Sequence, residues 1–387
     1  MNRFILIAGL IAAGFAAASA RAETPAPGAN VSEVEALAKA RPAPGLPNRI
    51  EVAFVLDTTG SMGGLIDGAK RKIWAIADEI RKQNPNAEIR IGLVAYRDRG
   101  DVYVTDKTDL TSDISAVYGK LIQVQAVGGG DWPESVNEAL AVAVNRLGWN
   151  KGADTRRIVF LVGDAPPHMD YAQDVPFTDT LKIAEREGIV VNAVQAGNAK
   201  DTELIWRTIA DLGHGRYLPI PQTGGVVVIE TPYDQQILKL QIELQRTVIP
   251  YGSLKQQSMV REKVGVAAAA PAPAASDMAS YSVRTAKPAE RKVVTGEGDL
   301  VADVAAGRAK VEEIKTEDLP PELKALAPAA RQAEIDKHLA TRKALQGDLE
   351  KLVAQRDGFI AEARAKQPRG TDGFDRVVEA VIRDQIR

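Results

Sequence analysis

Three runs rich in apolar residues, 50–56, 157–162 and 189–195, are separated by stretches whose apolar residues recur at helical spacing. A run with little polar alternation reads as a strand buried on both faces. Strands of that kind, alternating with helices, specify an α/β fold: a doubly wound, mostly parallel sheet with helices on both faces, Rossmann-like in its layering. The remaining pattern fills in around these runs. A helix is predicted over Met62–Gln83, with Leu65, Ile66, Ala69, Ile73, Ile76, Ala77 and Ile80 on one stripe, ended by Asn84-Pro85-Asn86. Glu88–Tyr96 reads as a strand, and the polar turn Arg97–Asp101 joins it to a short strand, Val102–Thr105, as a hairpin. Helices follow at Ser112–Val124, Pro133–Leu147, Thr178–Glu187 and Thr202–Leu212, and a final strand at Arg216–Ile220.

The 387 residues allow two or three domains, and a hydrophobic content of 45% supports at least one sizeable core. A net charge of -2 gives nucleic acid binding no electrostatic support. The chain has no cysteine, which excludes disulfides, thiol catalysis and thiolate metal sites. Met1-Asn2-Arg3 carries a positive charge, Phe4–Ala18 is uncharged and mostly apolar, and Ala20-Arg21-Ala22 places small residues at alternate positions. This is the layout of a secretory signal peptide over 1–22, cut after Ala22 or, as second choice, after Ala20. An uncleaved anchor is the alternative, although the run is short for a span of ~20 residues. Without a following cysteine there is no lipoprotein anchor. The expected mature protein is exported, periplasmic or else secreted, with no transmembrane segment.

Residues 23–48 hold Pro25, Pro27, Pro42, Pro44 and Pro47 and read as a linker. The sheet domain is expected over 49–220, followed by a helical extension over 221–261 built on the amphipathic stretch Thr231–Arg246. Residues 262–310, Ala/Pro-rich and then polar, read as a disordered linker. The region 311–387 reads as helical. In it Ile335, Leu345, Leu349, Leu352 and Phe359 recur at roughly heptad spacing, and Arg342 and Arg356 fall on the same stripe. With Gly347 and Gly358 weakening a long helix, a hairpin or a partner-binding helix is expected, with Phe374–Ile386 folding back onto it.

The chemistry lies at the ends of the strands. Asp57-Thr58-Thr59-Gly60-Ser61 follows the first apolar run and sends a carboxylate and two hydroxyls off its carboxyl end at alternate positions. Few, partly neutral hard oxygens suit Mg²⁺ or Mn²⁺, and open α/β sheets bind ligands beyond the carboxyl ends of their strands. The same residues also make ordinary turns.

At these residues the chain resembles bacterial von Willebrand factor A (VWA) domain proteins, whose metal-ion-dependent adhesion site is written Asp-x-Ser-x-Ser. Thr59 stands for the middle serine and keeps the hydroxyl. A second segment, Gly128-Gly129-Gly130-Asp131-Trp132-Pro133-Glu134, opens a predicted helix and is similar to a VWA subgroup that carries Gly-Gly-Gly-Asp-x-Pro-Glu. The resemblance implies Asp131 as the second-loop ligand in place of the usual Thr. On the residues alone, Asp131 and Glu134 form an Asp-x-x-Glu capping box. The third segment, Val159–His168, ends its strand in Asp164, which matches the family's third-loop Asp and continues as Ala165-Pro166-Pro167-His168. The implied metal set is Asp57, Thr59, Ser61, Asp131 and Asp164. An open coordination position would be filled by a partner's Asp or Glu. Trp132, Glu134 and His168 are candidate rim residues, with Tyr96, Arg97 and Asp98 on the same side.

The expected function is metal-dependent binding of a protein partner. A metal-dependent hydrolase acting at the same loops is the first alternative. The residue two positions after Asp57 is Thr59, not a second acid, and there is no phosphate-binding Gly-rich Lys-Ser/Thr loop or Gly-x-Ser-x-Gly elbow, so no enzyme is expected. A scaffold that no longer binds metal is the second alternative.

Overall fold

The computed structural model describes residues 47–285, 291–366 and 373–386. The expected leader lies outside these residues, as does the expected linker up to residue 46. Six strands form a single sheet: β1 (Arg49–Asp57), β2 (Glu88–Tyr96), β3 (Thr105–Thr111), β4 (Thr155–Gly163), β5 (Ile189–Ala196) and β6 (His214–Ile220), in the order β3-β2-β1-β4-β5-β6. All neighbours are parallel except β3, which pairs antiparallel with β2, Thr105 opposite Tyr96. The edge strand is therefore not the expected Val102–Thr105. Val102 is 92% exposed in the connecting turn. The strand that forms is polar and Thr-rich, with only Leu110 buried. An edge strand with one covered face needs no apolar run, and threonine fits its pleat.

Helices α1 (Gly63–Gln83), α2 (Ile114–Gln123), α3 (Val136–Arg146), α4 (Phe177–Arg186) and α5 (Lys200–Leu212) connect the strands. Successive side chains of β1 point to opposite faces, which makes two cores. Ile50, Val52, Phe54 and Leu56 pack with α1 and α2. Ala53 and Val55 pack with α3, α4 and α5 around the fully buried Trp206. The sheet is thus covered on both faces, as the apolar runs of β1, β4 and β5 require.

After β6 the chain adds α6 (Asp234–Gln245), α7 (Leu254–Ala268), α8 (Ala272–Thr285), α9 (Leu300–Ala305), α10 (Pro321–Lys324), α11 (Pro328–Ala365) and α12 (Phe374–Gln385). The stretch expected as a disordered linker, 262–310, instead contains the end of α7, all of α8, and α9. Ala and Ser are small enough for α8 to lie close against α1, where Ala274, Met278 and Tyr281 join the first core. Low side-chain volume there serves packing and is not a mark of disorder. Of the hairpin and the partner-binding helix expected in 311–387, the hairpin does not form among the described residues. Helix α11 is one continuous 38-residue rod, about 57 Å long at 1.5 Å per residue. Its buried stripe, Ile335, Arg342, Leu349, Val353 and Arg356, faces α6, α8 and α9. Helix α12 packs on α1 and the sheet, with Phe374 6.2 Å from Phe54 between ring centroids, and Val378, Val381 and Ile382 in the first core. Arg364 of α11 and Glu379 of α12 form an ion pair at 3.2 Å. No helix among the described residues is long and apolar enough to cross a membrane.

Candidate metal centre

Strand β1 ends in a tight turn that its own residues build. The backbone N–H and the hydroxyl of Thr59 both donate to Asp57 Oδ1, at 2.9 and 2.7 Å. This Asx-type turn fixes the carboxylate and brings Thr59 Oγ1 to 3.4 Å from Ser61 Oγ. Thr58 turns the other way and donates to Tyr96 O through both its backbone N–H and its hydroxyl. Asp57 is fully buried, and its Oδ2 has no hydrogen-bond partner among the described residues.

Asp164 leaves the end of β4 beside it. Its Oδ2 accepts from Gln222 Nε2 at 2.6 Å, and the same amide lies 3.3 Å from the Ser61 carbonyl oxygen. Helix α5 pins this loop through Thr202 Oγ1, which donates to Asp164 O at 3.0 Å. A Cβ on Gly163 would meet the Tyr96 hydroxyl and lie 3.2 Å from Asp57 Cβ, so glycine is what lets the ends of β1, β2 and β4 converge. The structure therefore brings Asp57, Thr59, Ser61 and Asp164 together. Gln222, which joins two of these loops, carries no signal in the sequence.

The second loop turns Glu134, not the expected Asp131, toward Thr59. Helix α3 begins at Val136 with Ser135 as its N-cap, two residues beyond Glu134, and no side-chain capping bond forms. The Asp131–Glu134 capping box is thus not made. Glu134 is held as a bridge to Pro167 and turns its carboxyl inward, with 4% exposure and Oε2 unpaired. A Cβ on Gly129, whose φ is 79°, would sit 3.0 Å from Glu134 Oε1 and 3.3 Å from Thr59 Cβ. The bare glycine backbone is what admits this carboxyl beside Thr59. Asp131 is exposed and lies with His168 and Asp98 instead. Trp132 stays on the rim, 46% exposed, donating to Asp201 Oδ2 at 2.6 Å. His168 is buried, and its backbone is held by Glu134 and Asn137.

The electrostatics of this cluster are those of acids packed together. Burial pushes the Asp57 carboxyl up to about 7; the Asp164 charge adds to the push, and the two Thr59 hydrogen bonds oppose it. Burial, then the charges of Asp57, Asp98, Asp101 and Asp164, push Glu134 up to about 9. The Tyr96 hydroxyl is raised by burial and by Asp57, Asp164 and Glu134. Three acids whose charges act on one another, two of them with an unpaired oxygen, and the hydroxyls of Thr59 and Ser61 make an all-oxygen donor set. Such a set fits a hard divalent cation, and a bound cation would reverse the sense of these shifts.

The hydroxyls and acids gather at the carboxyl edge of a doubly wound sheet, the edge at which α/β folds bind ligands. Residues 51–231 match the family model of the von Willebrand factor A (VWA) domain, which supports a VWA domain in this part of the chain. Among curated proteins, von Willebrand factor A domain-containing protein 7 of Rattus norvegicus is 39% identical over 93 residues, which is 24% of this chain and 10% of that protein. A putative ariadne-like RING finger protein of Acanthamoeba polyphaga mimivirus is 31% identical over 123 residues, 31% of this chain and 11% of that one. The chain thus spans about a tenth of the length of the curated relatives it matches. Among solved structures, the conserved hypothetical protein BatB from Bacteroides thetaiotaomicron aligns with a TM-score of 0.34 at 16% identity, over 57% of this chain and 98% of that one. The SpRpn10 VWA domain aligns with a TM-score of 0.35 at 13% identity, over 46% and 89%.

Proposed function

We propose that the protein is a metal-dependent protein-binding module, exported to the periplasm or the cell exterior. It would hold an acidic residue of its partner through a bridging Mg²⁺ or Mn²⁺. VWA domains generally serve as interaction modules, and one observation carries the metal: Asp57 Oδ2 and Glu134 Oε2 are buried without partners among the described residues, on loops that meet at Thr59. Unpaired buried carboxylate oxygens are costly, and a cation is the group that would satisfy both. Asp57, Thr59, Ser61, Glu134 and Asp164 would hold it, directly or through water. The ion would supply a Lewis-acidic position for a carboxylate oxygen.

The protein's own part is orientation. Thr59 fixes the Asp57 rotamer, Gln222 ties Asp164 to the first loop, and the Gly128–Gly130 backbone leaves the cleft open. Binding would be sensitive to chelators, and its specificity would come from the rim at Trp132. The test is calorimetric titration of Mg²⁺ into the full chain after chelator treatment. Saturable binding that is lost in Asp57→Ala supports the reading. Equal binding by Asp57→Ala would overturn it. The export part is tested separately, by fractionating expressing cells and locating the processed chain.

A further inference from the structure

Asp131, expected at the first site, belongs to a second constellation. His168 Nε2 lies 3.5 Å from Asp98 Oδ2 and 3.5 Å from Asp131 Oδ2, and one ligand atom from each residue falls within 4.8 Å of the others. We propose that Asp98, Asp131 and His168 form a second divalent-cation site, selective for a borderline metal such as Zn²⁺ and independent of the hard-oxygen site beside it.

Three observations carry this. The His168 side chain is 7% exposed, and its Nε2 has no hydrogen-bond partner among the described residues although it faces two carboxylates. The 3.5 Å separations are too long for a charge-assisted hydrogen bond, about 2.7–2.9 Å. They match the edge of a tetrahedron around a cation with ligands at about 2.1 Å, which is about 3.4 Å.

The surroundings are those of a ligating imidazole. His168 Nδ1 is 2.8 Å from Asp170 Oδ1, so the Nδ1–H donates to a carboxylate and Nε2 is the ring atom turned to the cluster, where a cation would take the place of its proton. Tyr171 stacks on the ring at 4.1 Å and donates its hydroxyl to Asp98 Oδ2 at 2.8 Å, while Ser135 Oγ donates to Asp98 Oδ1 at 2.8 Å. Asp98 and His168 are thus rigidly held. Asp131, with 61% side-chain exposure, closes the site from the glycine loop. One nitrogen and two oxygens leave a fourth position for water or a ligand oxygen, the pattern of an open zinc site. Imidazole distinguishes it from the first site, because Mg²⁺ prefers oxygen alone.

The experiment is calorimetric titration of Zn²⁺ into the full chain in excess Mg²⁺, which occupies hard-oxygen sites and competes poorly for imidazole. One Zn²⁺ equivalent is expected for the wild type and for Asp57→Ala, and none for Asp131→Asn or His168→Gln. Because Asp131 is exposed, Asp131→Asn leaves the fold intact, and circular dichroism melting in Mg²⁺ checks this. Asp170→Ala should weaken Zn²⁺ by about 10–100-fold, as loss of an orienting carboxylate does. The proposal is overturned if the wild type binds no Zn²⁺ under these conditions, or if Asp131→Asn and His168→Gln bind it as the wild type does. Loss of Mg²⁺ binding in Asp57→Ala is a separate result, so the two sites stand or fall independently.

Discussion

At the scale of single residues, the acidic cluster makes stability depend on pH in an uncommon direction. Asp57 and Glu134 have folded-state values of about 7 and about 9, against about 4 for carboxyls in an unfolded chain. The folded state therefore binds more protons, and its advantage is complete below about pH 4. It declines as pH rises, running out near 7 for Asp57 and near 9 for Glu134. Chelator-treated protein should lose melting temperature between pH 5 and pH 9, against the usual optimum at neutral pH, and Glu134→Gln should flatten the loss. Added Mg²⁺ should raise the melting temperature more at pH 8 than at pH 6, because the ligands must be deprotonated. Scanning calorimetry with and without Mg²⁺ checks all three outcomes. The positions of Asp57, Thr59, Ser61 and Asp164 were legible because all lie within five residues of the end of a buried run, and strand ends are easy to find. The inward turn of Glu134 was not. Asp131 and Glu134 are three residues apart, and which one faces the cleft depends on where α3 begins and on a glycine backbone that admits a carboxyl. Gln222 and the pairing of Asp98 with His168 join distant loops and leave no local pattern.

At the scale of elements, α11 carries a clear stability prediction. Arg342 pairs with Asp299 at 2.8 Å, and Arg356 with Asp234 and Asp277, each at 2.8 Å; all of these residues are buried. Arginine on an apolar stripe reads as a flaw in a coiled coil, but here the acids on α6, α8 and the N-cap of α9 account for it. Arg356→Met should cost about 3–5 kcal/mol, because it strands two buried carboxylates. Adding Asp234→Asn and Asp277→Asn should recover much of that loss, as read by urea denaturation. The stripe itself was visible in the sequence, whereas its partners were not, because they sit in segments that read as linker or extension. The same asymmetry explains the edge strand. β1, β4 and β5 announce themselves through burial on both faces, and β3, covered on one, does not.

At the scale of the molecule, the sheet and the C-terminal helices share one core. Phe374, Val378, Val381 and Ile382 pack in the cluster that contains Phe54 and Leu56 of β1, and Arg383 reaches Glu79 of α1 at 3.1 Å. A fragment ending at Ile220, the natural cut from the strand pattern, would expose that face. Phe374→Ala should cost about 3–5 kcal/mol by opening a cavity against β1, and chains truncated after residue 366 should be markedly easier to digest with protease at the sheet. The amphipathic face of α12 could be read from the sequence, but not its destination, since nothing local says which helix or sheet it covers. The contact between Arg383 and Glu79 joins residues 304 positions apart. So large a separation makes folding slow, because a long loop must close before the contact yields anything. During synthesis, β1 and α1 emerge early and wait, one apolar face bare, until α12 has been made. Over that interval the nascent chain should depend on holding factors.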